Sequence, residues 1–307
     1  MKTAFLFPGQ GAQSVGMGAD IAAQYPQCQA LFERANAIVG YDLKQLCIEG
    51  PDDRLNATAF SQPGIFVVSA ALLELFKASG IQADVTAGLS MGEYTALYAA
   101  GLISFEDGLK LVQKRGEAMQ AAADASEGSM VSMVGLDEVK VIELCEEASQ
   151  GELLVAVNFN CPGQIVISGA VNACKRAVEL APKYDAIKAI PLSVAGAFHS
   201  DMMKPAAEEL AQALADCPIQ KPDPVKVIAN IDATYYTSAD AIRHGLAKQL
   251  IQPILWQSCM EKLLADGIEK FYEIGPGRVL TGLMRRIDRK TKVVNVSSAE
   301  SLQNFSK

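Results

Sequence analysis

Gly88-Leu89-Ser90-Met91-Gly92 separates a short apolar run, Val85-Thr86-Ala87, from a helix-like stretch over 91–100 that Gly101 halts. A serine with glycines two residues to either side, on a strand-to-helix turn, has the form of a nucleophile elbow. Small neighbours let the sharp turn close while the serine backbone is held in a strained conformation. The Ser90 hydroxyl would then stand at the N-terminus of the following helix, where free N–H groups and the dipole favour negative charge. The same five residues also suit a plain tight turn, so the serine needs partners before it implies chemistry.

A serine hydroxyl is a weak nucleophile until a base takes its proton, and histidine has the pKa for that task. The chain has 2 histidines. His244 sits in the polar helical stretch Asp240-Ala241-Ile242-Arg243-His244, which has the composition of a solvated face. His199, in Ala195-Gly196-Ala197-Phe198-His199-Ser200, follows a small-residue approach to a helix start and is the candidate base. No acid stands in a hydrolase-like position, and Asp201, though adjacent, points elsewhere on most backbones. A backbone carbonyl can take that place, because the third member only has to fix the imidazole tautomer.

Phe7-Pro8-Gly9-Gln10-Gly11 lacks the Lys-Ser/Thr of a phosphate loop and the glycine spacing of a dinucleotide fingerprint. It is either a strand-ending turn or the place where the Gln10 N–H joins that of Met91 as an oxyanion donor. Arg115 lies on a predicted helix with Leu111 and Val112 a turn before it and Ala118 and Met119 a turn after. A guanidinium on that apolar face either snorkels outward or awaits an anion, and the pattern alone favours snorkelling. Turned inward, its planar fork would suit a carboxylate bidentately.

The elements that must hold these residues alternate. A buried strand over 4–7 is cut by Pro8-Gly9; a helix pattern covers 31–39; a long apolar helix is predicted over 64–78 after Gln62-Pro63; a strand then feeds Ser90. Ser104, with Asp107 three residues on, reads as the N-cap of a helix to about Ala123. This is the order of an α/β layer with a mainly parallel sheet. From Glu127 the texture changes to strand 129–134, helix 139–148, strands 153–158 and 164–168, helix 171–180 and strand 186–192. That βαββαβ order is ferredoxin-like and predicts a small inserted subdomain. Beyond it come a helix through Glu208 and Leu214, a strand at 225–229, a helix ending near Leu250 and a strand at 270–274. Gly275-Pro276-Gly277 is expected to open the last helix.

At 307 residues, 50% hydrophobic and 20% charged, the chain has a globular composition with room for one large domain or two modest ones. A formal net charge of -8 argues against nonspecific nucleic-acid binding. The 7 cysteines are spread singly without C-x-x-C pairs, as reduced thiols would be, and suggest neither a disulfide frame nor a metal site. Pro8-Gly9 leaves no room for a secretory apolar region, and no stretch approaches the roughly 20 apolar residues of a membrane span. The expectation is a cytoplasmic protein with no membrane, nucleic-acid or metal partner.

Together, Phe7-Pro8-Gly9-Gln10-Gly11, Gln62-Pro63, Gly88-Leu89-Ser90-Met91-Gly92-Glu93-Tyr94, Arg115-Gly116, Asn158, Ser168-Gly169, Gly196-Ala197-Phe198-His199-Ser200 and Glu273-Ile274-Gly275-Pro276-Gly277 resemble the malonyl-CoA:acyl carrier protein transacylases. The similarity runs in order over nearly the whole chain. It implies an α/β-hydrolase-like catalytic domain over 1–125 and 198–307, a ferredoxin-like subdomain over 126–197, and an active site in the cleft between them. It further implies that Ser90 is acylated, His199 is the base, Gln10 and Met91 supply oxyanion N–H groups, and Arg115 binds the free carboxylate of malonate. A main-chain carbonyl near Gln249 would orient the histidine, which fits the missing acid. Gln62, Asn158 and Phe198 would contact substrate.

Many family members have histidine where this chain has Leu89. In related acyltransferase domains phenylalanine before the histidine accompanies malonyl use, so Phe198 leans that way by analogy; its bulk would disfavour a 2-methyl group by about 1–3 kcal/mol. The implied reaction is ping-pong transfer from malonyl-CoA to the phosphopantetheine thiol of an acyl carrier protein in fatty acid synthesis, by a monomer without cofactors. Service to a polyketide assembly line, a serine esterase or thioesterase, and a silent carrier-binding scaffold are the alternatives. Arg278, Arg285, Arg286, Arg289, Lys290 and Lys292 form the densest cationic stretch and suit either an acidic carrier protein or a solvated helix face.

Overall fold

The computed structural model describes residues 1–305, so the end of the 198–307 range, residues 306 and 307, lies outside the described residues. The strands among them are β1 (Lys2–Phe7), β2 (Val85–Gly88), β3 (Gly128–Val134), β4 (Leu154–Cys161), β5 (Gln164–Ala170), β6 (Lys188–Pro191), β7 (Lys226–Val227), β8 (Ile268–Ile274) and β9 (Val293–Val296). β1, β2, β7, β8 and β9 form one sheet in the order β7-β2-β1-β8-β9, and each of its pairs is parallel. Helices cover both faces, which is why Ala4, Leu6 and Phe7 on β1 are all 0% exposed despite pointing to opposite sides. One face carries the helices Pro26–Val39, Thr58–Phe76 and Phe105–Asp124; the other carries Trp256–Ala265.

β3 to β6 form a second, antiparallel sheet in the order β4-β5-β3-β6. The helices Glu138–Ser149 and Val171–Leu180 pack on one of its faces around Val141, Leu144, Ala173 and Ala177. This is the ferredoxin-like arrangement predicted from element order, with its own core. The chain is therefore a mixed α/β structure with a parallel sheet and a smaller antiparallel one.

Several expectations change. The long apolar helix begins at Thr58, six residues before the predicted start, and carries Pro63 inside it. Gln62, Pro63 and Gly64 are all buried there, so packing overrides the missing proline N–H. The helix and the 3-10 turn after it, Thr58–Ser79, are long and apolar enough to cross a membrane, contrary to the expectation that no such stretch exists. Its apolar window is 83% buried inside the protein, the behaviour of a core helix that is hydrophobic all round. Gly275-Pro276-Gly277 opens the helix Val279–Ile287, but β9 and a helix at Ala299–Gln303 follow it. The helix Trp256–Ala265 was not predicted, although Trp256, Cys259, Met260 and Leu263 are buried at helical spacing. Ser104 caps its helix as expected, accepting from the Asp107 N–H at 3.0 Å.

Candidate active site

β1 and β2 end side by side, Phe7 opposite Gly88, so the two loops that leave them meet at the carboxyl edge of the sheet. The glycines there are required by contact. A Cβ on Gly88 would lie 1.9 Å from the Gly92 carbonyl, one on Gly92 would lie 2.3 Å from Phe7 O, and one on Gly9 would lie 2.3 Å from Leu89 O. Between them Ser90 takes φ 52, the left-handed conformation of a nucleophile elbow. Asn230, just beyond β7, clamps the turn: its Oδ1 accepts from Ser90 N at 2.7 Å and its Nδ2 donates to Gly88 O at 2.8 Å. Sequence reasoning missed Asn230; a polar residue just past a parallel strand was the available signal.

His199 also has a left-handed backbone, φ 61, and is 5% exposed. Its Nε2 lies 3.0 Å from Ser90 Oγ, and its Nδ1 lies 2.7 Å from the Gln249 carbonyl oxygen. A carbonyl can only accept, so Nδ1 carries the proton and Nε2 is free to accept from the serine. Asp201 is turned away, paired with Lys204 at 2.9 Å, and His244 is exposed on its helix as expected.

Arg115 does not snorkel; it is 1% exposed. Its helix crosses Thr58–Phe76 so closely at Gly116 that a Cβ there would lie 2.8 Å from Thr58 O, which turns the neighbouring arginine inward. Nη1 donates to Gln62 Oε1 at 2.7 Å, and Nη2 donates to Ser90 Oγ and Gln249 Oε1, each at 3.0 Å. No carboxylate pairs with it directly among the described residues, and its Nε has no hydrogen-bond partner. Burial first, and then the Arg115 charge, push His199 down to about 3, so the imidazole in this site is neutral at pH 7.

A cleft of about 520 Å³ opens over these groups, walled by both sheets. Gln10, Ser90, Arg115, Asn158, Phe198 and His199 line it, with Leu89 beside the serine. Gln62, Met91 and Gln249 do not line it: Gln62 and Gln249 stand behind Arg115 as its acceptors, and Met91 is buried under the elbow. The backbone N–H groups of Gln10 and Met91 have no protein acceptor among the described residues. A larger groove, about 1060 Å³, lies at the opposite edge of the sheet near Lys2, Asp84 and Lys226, far from the serine–histidine pair. No cluster that could hold a metal ion occurs among the described residues.

A serine, a neutral imidazole oriented by a carbonyl, free N–H groups and a buried cation suit acyl transfer with an anionic acyl group. Residues 4–305 match the acyl transferase domain family, and the chain belongs to that family. It is 44% identical over 303 residues to the malonyl CoA-acyl carrier protein transacylase of Bacillus subtilis, covering 98% of this chain and 95% of the relative. Among solved structures it resembles the same transacylase from Coxiella burnetii (TM-score 0.95, 38% identity, 99% of this chain and 96% of the other covered). It equally resembles a malonyl-transacylase solved in complex with a type II polyketide acyl carrier protein (TM-score 0.95, 38% identity, 99% of each chain).

Proposed function

We propose that this enzyme transfers a malonyl group from malonyl-CoA to the phosphopantetheine thiol of an acyl carrier protein, supplying fatty acid elongation. Family membership and the malonyl transacylases among its relatives support the activity. The single observation that carries the acyl choice is a buried guanidinium 3.0 Å from the Ser90 hydroxyl with no carboxylate of its own.

In this reading His199 Nε2 takes the Ser90 proton as Oγ attacks the malonyl thioester carbonyl. The tetrahedral oxyanion rests on the Gln10 and Met91 N–H groups. Its collapse expels coenzyme A, whose sulfur takes the proton back from the imidazolium. The carrier thiol then gives its proton to His199 and attacks the malonyl-serine ester, and the proton returns to Ser90. The Gln249 carbonyl holds the histidine tautomer, and Arg115 holds the malonate carboxylate through both half-reactions. As that carboxylate arrives it offsets the Arg115 charge and raises the pKa of His199, so the base strengthens when the right substrate is bound. Asn158 and Phe198 bound the acyl pocket, while Gln62 acts through Arg115.

Residues 126–197 form the wall facing the elbow. The carrier protein docks where the helix Val279–Ile287 meets the cleft, beside the exposed cations Arg278, Arg285, Arg289, Lys290 and Lys292. A cytoplasmic monomer that needs only a coenzyme A thioester as donor and a carrier-protein thiol as acceptor belongs to the same reading. A polyketide carrier protein is the second candidate acceptor, favoured by the likeness to a transacylase bound to one.

Mass spectrometry after mixing with malonyl-CoA is the test. A malonyl adduct should appear on Ser90, pass to a phosphopantetheinylated carrier protein and be absent from Ser90→Ala. An adduct that only water discharges would assign a thioesterase, and no adduct would leave a scaffold.

A further inference from the structure

Glu93 follows the elbow directly and is 0% exposed, yet the acyl-transfer steps do not use it. Three groups point at its carboxylate. Tyr236 Oη donates to Oε1, while Gln249 Nε2 at 2.8 Å and Asn230 N at 3.1 Å donate to Oε2. Two of these partners, Gln249 and Asn230, are tied to the active site. Gln249 accepts His199 Nδ1–H through its backbone oxygen, accepts from Arg115 through its side-chain oxygen and donates to Ser90 O at 3.1 Å. Asn230 holds the elbow itself.

An amide side chain has one accepting and one donating end, and nothing intrinsic decides which way it faces. Here the carboxylate can only accept and the guanidinium can only donate, so Gln249 is locked with its NH2 toward Glu93 and its oxygen toward Arg115. Glu93 also supplies the negative charge that the buried Arg115 lacks by direct contact, at one amide's remove. We propose that Glu93 is the positioning residue of this site: through Gln249 it aims Arg115 at the acyl carboxylate and fixes the carbonyl that orients His199. The acid absent from the serine–histidine pair is present one residue further back.

Glutamine at position 93 keeps the shape and can still accept from Gln249, but it removes the charge. It also leaves only a neutral amide oxygen to hold the NH2 of Gln249, so the aim of the Gln249 oxygen at Arg115 is held less firmly. Malonyl recognition should therefore loosen more than folding does. The proposal also has a signature in pH. Burial, opposed by hydrogen bonds from Tyr236, Gln249 and Asn230 and by the Arg115 charge, raises Glu93 to about 7. The charged and titratable groups around it are Arg115, Tyr94, Tyr236, Cys259 and, beyond Gln249, His199. His199 in the free site titrates near 3, and the tyrosines and Cys259 are raised, so Glu93 is the group that gains a proton as pH falls through neutrality.

This rests on the malonyl-transfer reading, and the experiment separates the two. For wild type, Glu93→Gln and Tyr236→Phe, kcat/KM is measured with malonyl-CoA and acetyl-CoA from pH 5 to 9, alongside a thermal melt. In Glu93→Gln the malonyl-to-acetyl ratio should fall about tenfold or more and the decline below pH 7 should vanish. In Tyr236→Phe, which removes a bond that stabilises the charged carboxylate, the decline should move to higher pH. The ratio is independent of folded fraction, so a purely structural role would leave it untouched. A Glu93→Gln enzyme with the wild-type ratio, or with the wild-type pH profile, overturns the proposal. A wild-type enzyme that forms no malonyl-serine overturns the activity instead.

Discussion

Ser90 and His199 both hold left-handed backbone conformations, φ 52 and φ 61, that cost about 1–3 kcal/mol each for residues with a Cβ. The surroundings hold them there: Asn230 bonds both sides of the serine turn, and Ser168 Oγ donates to Phe198 O at 2.8 Å just before the histidine. Strain of this kind persists only where the scaffold over-determines it, and here it aims two side chains at one another. In the proposed reading, Arg115 sets the acyl preference at the same scale. Charge-assisted hydrogen bonds are worth about 1.5–3 kcal/mol, so Arg115→Ala should lower kcat/KM for malonyl-CoA about 10- to 100-fold and raise relative acetyl use. Competition between the two thioesters checks this, and unchanged selectivity would remove the role. Arg115→Lys should recover little, because an ammonium cannot present a planar fork.

At the scale of elements, the glycines around the elbow mark where backbones touch. Gly92→Ala would drive a methyl group to 2.3 Å from Phe7 O and 2.8 Å from Pro8 O. The loss should be about 1–3 kcal/mol in a urea melt, with slower Ser90 acylation because the Gln10 loop is pushed away from the serine. Gly101→Ala is the control: that glycine has φ 74 with nothing within 4 Å of where its methyl group would sit, so the cost is local strain of about 1–2 kcal/mol and acylation continues. The motif glycines were legible as a turn, and the strand, helix and cap around them followed from period and punctuation. The start of the helix Thr58–Phe76 was not legible, because Gln62-Pro63 reads locally as a break and only burial against Phe105–Asp124 continues it. The inward turn of Arg115 has the same origin. Its helix face is apolar whether the guanidinium snorkels or not, and the crossing at Gly116 decides.

For the whole molecule, the cleft exists because the small sheet is tied to the large domain at particular points. β4 bridges to the segment after Gln249, with Ile254 N donating to Val157 O at 2.7 Å and Phe159 N donating to Ile254 O at 2.9 Å. From the helix Val279–Ile287, Arg286 reaches the turn between β4 and β5, donating to Gln164 Oε1 at 3.0 Å and to Pro162 O and Gly163 O at 3.3 Å. Arg286 is thereby engaged within the chain, whereas its neighbour Arg285 faces solvent. Charge reversal should separate them. Arg285→Glu should raise KM for the carrier protein, flatten its salt dependence and leave serine acylation by malonyl-CoA alone. Arg286→Glu should slow acylation as well, since it frees the cleft wall. Stopped-flow acylation and carrier kinetics at two ionic strengths distinguish these outcomes.

The sequence by itself determined the alternation of elements, the ferredoxin-like order of the small subdomain and the serine turn, because these depend on local period, glycine placement and capping. The resemblance of its motifs pointed to the residues that gather around Ser90. Only the tertiary structure decided that Arg115 faces inward, that Gln62 stands behind it, that Asn230 clamps the elbow and that Glu93 underlies Gln249. The reason is physical: a buried polar group is oriented by donors and acceptors far away in the chain. Ser90 meets Asn230, and Arg115 meets Gln249, through contacts that no local spacing encodes.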